Sequence, residues 1–205
     1  MRKLITALVV VCALAVAAAI GIPAATGLVQ QAQAALNPCP KAAPVMVGDI
    51  TVPRGPVAGY CQSQLVNAAQ IMRAAEARGI GTHTQAVGVM TAMGESKLRN
   101  ISYGDEAGPD SRGIFQQRDN GAWGTLADRM NPYIASVNFY AKLTSIPGWR
   151  TMPPTELAHA VQGNADAGYY EKYWTRAQEV VAALTPTSST PSSTTSSTPS
   201  AAPAG

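Results

Sequence analysis

The chain has 205 residues, 13% of them charged, and a formal net charge of +3 from 15 basic and 12 acidic side chains. Two of those cations are Arg2 and Lys3, and no acid occurs before residue 35, so the remainder is close to neutral. Neither a basic stripe nor regularly spaced stacking aromatics is visible, which excludes nucleic acid as the expected partner.

Residues 4–22 form an uncharged, apolar run, and Ala32 and Ala34 then offer the small residues that a signal peptidase accepts. The expectation is an export signal over residues 1–34. At about 20 residues such a run is also just long enough to span a bilayer, so an uncleaved membrane anchor is the alternative. Either reading puts the rest outside the cytoplasm, secreted or associated with the cell wall, and in contact with a membrane only if the leader is retained. Cys12 lies inside the run, which leaves Cys39 and Cys61 for a mature chain. Two cysteines in an oxidising compartment allow one pairing, and a Cys39–Cys61 bridge would tie a Pro-rich arm, residues 35–61, to the start of the helical domain.

That helical domain is expected over residues 62–184. Leu65, Val66, Ala69, Ile71, Met72 and Ala75 recur at helical spacing from Ser63 to Arg78, and Gly79 stops the helix. Thr82 or Thr84 is the expected cap of a second helix, in which Ala86, Val87, Val89, Met90 and Met93 crowd two faces, marking it as the central buried one. Glu95 ends it. Asn131 and Pro132 open a third helix running to Pro147, Pro153 and Pro154 precede a short fourth, and a last one is expected from about Gly168. Strand signals are almost absent, so the fold class is mainly α. From residue 185 to 205 only Thr, Ser, Pro, Ala and Gly occur. Such a tail lacks the apolar surface to offset ordering entropy and reads as a disordered spacer or a carrier of O-linked sugar.

Between Lys97 and Asn131 lies a long glycine-rich stretch of little periodicity, and long loops of this kind usually serve function. It begins beside Glu95, the acid at the end of the buried helix, and returns with Gly113-Ile114-Phe115-Gln116-Gln117, which suggests a cleft wall. No metal site is expected, because His83 and His159 lack partners at ligand spacing, and neither a nucleophile elbow nor a phosphate loop is present. No cofactor is implied. A carboxyl whose pKa is raised by apolar neighbours such as Met90, Met93, Ile114 and Phe115 could protonate a glycosidic oxygen near neutral pH. Gln116 and Gln117 would offer amides to acetamido groups and hydroxyls, and Gly113 would let a sugar approach the backbone. Tyr103, Trp123, Tyr169 and Tyr170 are the rings able to stack on pyranose faces. A second carboxylate, if one is used, would come from Asp105, Glu106, Asp110 or Asp119.

Gly94-Glu95-Ser96 with Leu98, then residues 110–118, including Ser111 and the Gly-Ile-Phe-Gln-Gln run, and finally Gly121-Ala122-Trp123-Gly124 together resemble the lysozyme-like, lytic-transglycosylase-type domains of actinobacterial exported proteins. The resemblance covers roughly residues 68–174. It implies a lysozyme-like fold, Glu95 as catalytic acid, Gly113–Gln116 as the turn lining a sugar cleft, and peptidoglycan glycan strands as partner of a monomeric enzyme. Hydrolysis with a second carboxylate and transglycosylation with one acid both remain open. An Ala-Tyr-Asn motif of the family is absent, Ala160-Val161-Gln162 being its nearest match. A non-catalytic wall-binding module, or an accessory component of an export or conjugation apparatus, is the alternative.

Overall fold

The computed structural model describes residues 38–186. The leader 1–34, with its cleavage or anchor, and the tail beyond 186 lie outside the described residues. Among those described, six α-helices surround one core, with a single two-stranded sheet at its side. None of these helices is long and apolar enough to cross a membrane.

The sheet is the first departure from expectation. Strands β1 (Val45–Val47) and β2 (Ile50–Val52) pair antiparallel, Val45 opposite Val52 and Val47 opposite Ile50. The two residues between them are Gly48 and Asp49, with Gly48 at φ +65°, where a short hairpin favours glycine. Val47, Ile50 and Val52 are buried in the same core as the helices, so the arm is packed onto the domain rather than strung beside it. A Cys39–Cys61 disulfide with Cα atoms 5.3 Å apart closes this segment, in line with the cysteine count.

Cys61 caps helix α1 (Gln62–Glu76), whose Gln64 side chain accepts the Cys61 amide at 3.2 Å. Helix α2 (Thr82–Ser96) is the central one, with every residue from Gln85 to Met93 buried. Its cap is Gly81, not Thr82 or Thr84; both threonines lie inside the first turn, so no side-chain oxygen caps the helix. Gly88 stands where the Tyr140 hydroxyl and ring press on α2, and a side chain at that point would also meet Ile71 at 2.9 Å. Tyr140 donates to the Gln85 carbonyl at 3.2 Å.

The long loop contains a helix that its sequence did not announce, α3 (Leu126–Met130), capped by Thr125 and Asp128 in a reciprocal box. Asn131 then accepts from the amides of Tyr133 and Ile134 and opens α4 (Pro132–Thr144). Helix α5 (Pro154–Gln162) follows the two prolines as anticipated and ends on Gly163. The last helix begins later than Gly168: Tyr169 and Tyr170 sit in a turn, a 3-10 segment covers Glu171–Tyr173, and α6 runs Trp174–Leu184. Packing of α1 and α6 against α2 leaves the C-terminal turn of α2 facing the long loop and α5.

Candidate active site

Glu95 occupies the last turn of α2, and the chain leaves that helix through two consecutive non-glycine residues in the left-handed region, Lys97 at φ +56° and Leu98 at φ +59°. That reversal turns the chain back over the helix end. Ser96 explains the pairing of the Glu-Ser dipeptide with the distant turn: its hydroxyl is buried and lies 2.8 Å from the Ile114 carbonyl and 3.1 Å from that of Ala92, while accepting the Arg99 amide. The helix end and the turn are therefore fastened to each other directly.

The turn is a tight hairpin. Arg112 and Gln117 exchange backbone hydrogen bonds at 3.1 and 2.9 Å, and Gly113 donates to Ile101 at 2.7 Å. Ile114 and Phe115, expected in contact with sugar, point into the core instead, with Phe115 stacked parallel on Phe139 at 4.4 Å. Their apolar bulk anchors the turn. Gly113 also has a different reason to be glycine than the approach of a sugar. At φ +79° a Cβ there would fall on the Arg129 carbonyl, so the close neighbour is the backbone of α3. Gln116, at φ +48°, bonds its own side-chain amide to the Gly113 carbonyl at 3.0 Å.

A groove of about 370 Å³ opens beside Glu95. The long loop supplies Gln116, Gln117 and Trp123 to one wall, α5 and its C-terminal turn supply Gln162 and Asn164 to the other, and α4 contributes Lys142. Gln117 is nearly fully buried; its amide donates to the Ala135 carbonyl at 3.2 Å, and its Oε1 has no partner. Of the remaining candidates, Ser111 is buried in the loop and Tyr103 is 70% exposed, and neither lines the groove. Tyr169 is half-buried and donates to the Gly94 carbonyl at 3.0 Å. Trp174 packs edge-on against His83 at 5.2 Å and does not line this groove.

Two partners of Glu95 were not legible in the sequence. Tyr170, fully buried, donates its hydroxyl to Glu95 Oε1 across 75 residues of chain. Gln162 donates to the Phe115 carbonyl at 2.9 Å and stands close enough to bond the same carboxyl. Burial raises the Glu95 pKa above its ordinary value; the bonds from Tyr170 and Gln162 pull it back, and the charge of Asp105 pushes it further up. The carboxyl is thus desolvated and also oriented. Tyr170, in turn, is driven far above the ordinary phenol range by burial and by Glu95, so it remains a donor.

Two of the other candidate acids of the loop are occupied. Asp110 pairs with Arg118 at 2.6 Å and accepts the Asp119 amide, which holds its pKa low, and Asp119 pairs with the buried Arg129 at 2.9 Å. Glu106 is exposed. Asp105 is the loop carboxylate whose charge is felt at Glu95. No protein-family model matches the chain, and no curated protein matches it.

Proposed function

We propose that the chain is a peptidoglycan-cleaving glycosidase with a lysozyme-like helical domain, acting on the bond between N-acetylmuramic acid and N-acetylglucosamine. The observation that carries this reading is the Glu95 carboxyl, half-buried at a helix end, oriented by Tyr170, and opening on a groove lined with amides. A protonated Glu95 gives its proton to the glycosidic oxygen as the C–O bond breaks and positive charge develops on the sugar ring. The substrate acetamido group is suited to hold that charge: Asp110 and Asp119 are engaged in ion pairs, and neither Asp105 nor Glu106 lines the groove. The Glu95 carboxylate then takes a proton either from the muramyl hydroxyl, closing an anhydro ring, or from water. The first is favoured by having one desolvated acid at the groove. The enzyme works outside the cytoplasm, where the Cys39–Cys61 bond persists.

The test is incubation of the chain from Ala35 onward with purified peptidoglycan, followed by mass analysis of soluble muropeptides. Products one water lighter than hydrolysis products are expected from the wild type and none from Glu95→Gln. Reducing-end products would assign hydrolysis. Sedimentation with peptidoglycan without release would assign a wall-binding module, and equal release by both proteins would remove Glu95 from the chemistry.

A further inference from the structure

A second groove, of about 840 Å³, lies between the disulfide-closed arm, the exit of α2 and the start of α6. Its lining carries three cations, Lys97, Lys172 and Arg176, against one carboxylate, Glu179. The ion pairs among the described residues are Arg118–Asp110 and Arg129–Asp119, so none of the three cations is neutralised by one. Exposed lysines and arginines ordinarily sweep freely through solvent, but two of these side chains are held. Lys172 Nζ sits 4.5 Å from the centre of the Tyr169 ring and 5.3 Å from that of Tyr173. Arg176 is beside the Tyr60 hydroxyl, close enough to bond it. Lys97 is fixed at its backbone: it takes the left-handed conformation at the end of α2, and its carbonyl accepts the Gln64 side chain at 2.8 Å.

The opposite rim is held with equal care. Val57 and Tyr60 exchange two backbone bonds around Ala58 and Gly59, and Ala58 sits at φ +49° where glycine would be unstrained. Left-handed non-glycine residues are strained and persist where surrounding structure over-determines them. Two of them, Ala58 and Lys97, line this groove.

The geometry points to an extended anion-binding groove in which Lys97, Lys172 and Arg176 bind the repeating phosphate or carboxylate groups of an acidic polymer. Three cations lining one groove of about 840 Å³ suit a chain with repeated charges better than one small ion. Arg176 offers a fork for paired oxygens, and the two lysines offer point charges. Nucleic acid is disfavoured because Tyr60 is buried and the face of Tyr173 is shared with Lys172, leaving no free ring for base stacking. This groove shares no lining residue with the one beside Glu95, so its binding can be measured on a protein that does not cleave.

Equilibrium binding of the chain from Ala35 onward to a poly(glycerol phosphate), a poly-glutamate, a neutral dextran and single-stranded DNA tests the proposal. The phosphate polymer, the carboxylate polymer or both should bind, more weakly as salt rises, and equally to the wild type and to Glu95→Gln. The pair Lys172→Ala with Arg176→Ala should weaken binding by about tenfold or more while circular dichroism and melting stay unchanged, and Arg150→Ala, a surface cation elsewhere, should leave it intact. Binding by one acidic polymer alone assigns its charged group as the ligand. Equal binding of dextran, preference for DNA, equal weakening by Arg150→Ala, or no effect of the paired substitution would overturn it. Should the paired variant melt early, Arg176→Lys and Lys172→Gln separately replace it, and undiminished binding by both overturns the proposal.

Discussion

Replacing Gly113 with alanine separates a local role from a substrate role at the same position. Gly113 and Gly79 both lie in the left-handed region, at φ +79° and +67°, so either substitution carries the backbone cost of about 1–2 kcal/mol for an L residue there. At Gly79 the new methyl meets nothing within 4 Å. At Gly113 it lands on the Arg129 carbonyl, whose carbon lies 3.1 Å away, and the obstacle is backbone that cannot rotate aside. Forcing the turn off α3 adds about 1–3 kcal/mol, the usual range for overpacking. Urea denaturation should therefore place Gly113→Ala below Gly79→Ala by at least about 1 kcal/mol, and the melting temperature should drop by about 2–4 °C per kcal/mol. Equal stability of the two variants would refute the steric account. If Gly113→Ala instead kept its stability and lost only muropeptide release, close approach of a sugar would be the reason for glycine after all.

Tyr170→Phe removes a hydrogen bond that favours the ionised form of Glu95, so the alkaline limb of the pH–activity profile for muropeptide release should move to higher pH; a shift to lower pH would contradict the assigned bond. Glu95→Gln should gain stability at neutral pH. The folded pKa of Glu95 is raised above 4.5, so ionisation opposes folding once pH climbs past that value. Below it both states are protonated, and the gain in melting temperature should vanish at about pH 4, whereas a gain independent of pH would exclude desolvation as its source. Replacing both Cys39 and Cys61 by serine should cost about 3 kcal/mol in denaturant titrations, for a bridge spanning 22 residues, and should make stability indifferent to reductant.

Helical periodicity and end signals made α1, α2, α4 and α5 legible, because Gly79, Asn131-Pro132 and Pro153-Pro154 act locally on the chain that carries them. The hairpin carries a fainter signal: Val45-Met46-Val47 and Ile50-Thr51-Val52 flank a Gly-Asp pair, but their shortness and the surrounding prolines conceal it. Ile114 and Phe115 do lie near the acid, yet their neighbour is the core and not a sugar, since an apolar pair in a polar loop announces burial without saying whether a ligand or the core covers it. The Phe139 ring that covers Phe115 belongs to a different helix. Tyr170 and Gln162 were out of reach for a similar reason, because their bonds to the site join residues 75 and 47 positions apart. No pattern along one strand of sequence encodes such a meeting.

The bridge between Ile101 and Gly113 shuts the neck of an outer arc, and the peg of Ile114 and Phe115 holds everything downstream of that neck in register with Ser96. Closing a longer arc adds only about 0.6 kcal/mol per doubling of its length. The exposed part of that arc, around Tyr103 and Glu106, is accordingly a place where insertions can accumulate, reshaping what enters from outside while Gln116 and Gln117 keep their distance from the acid.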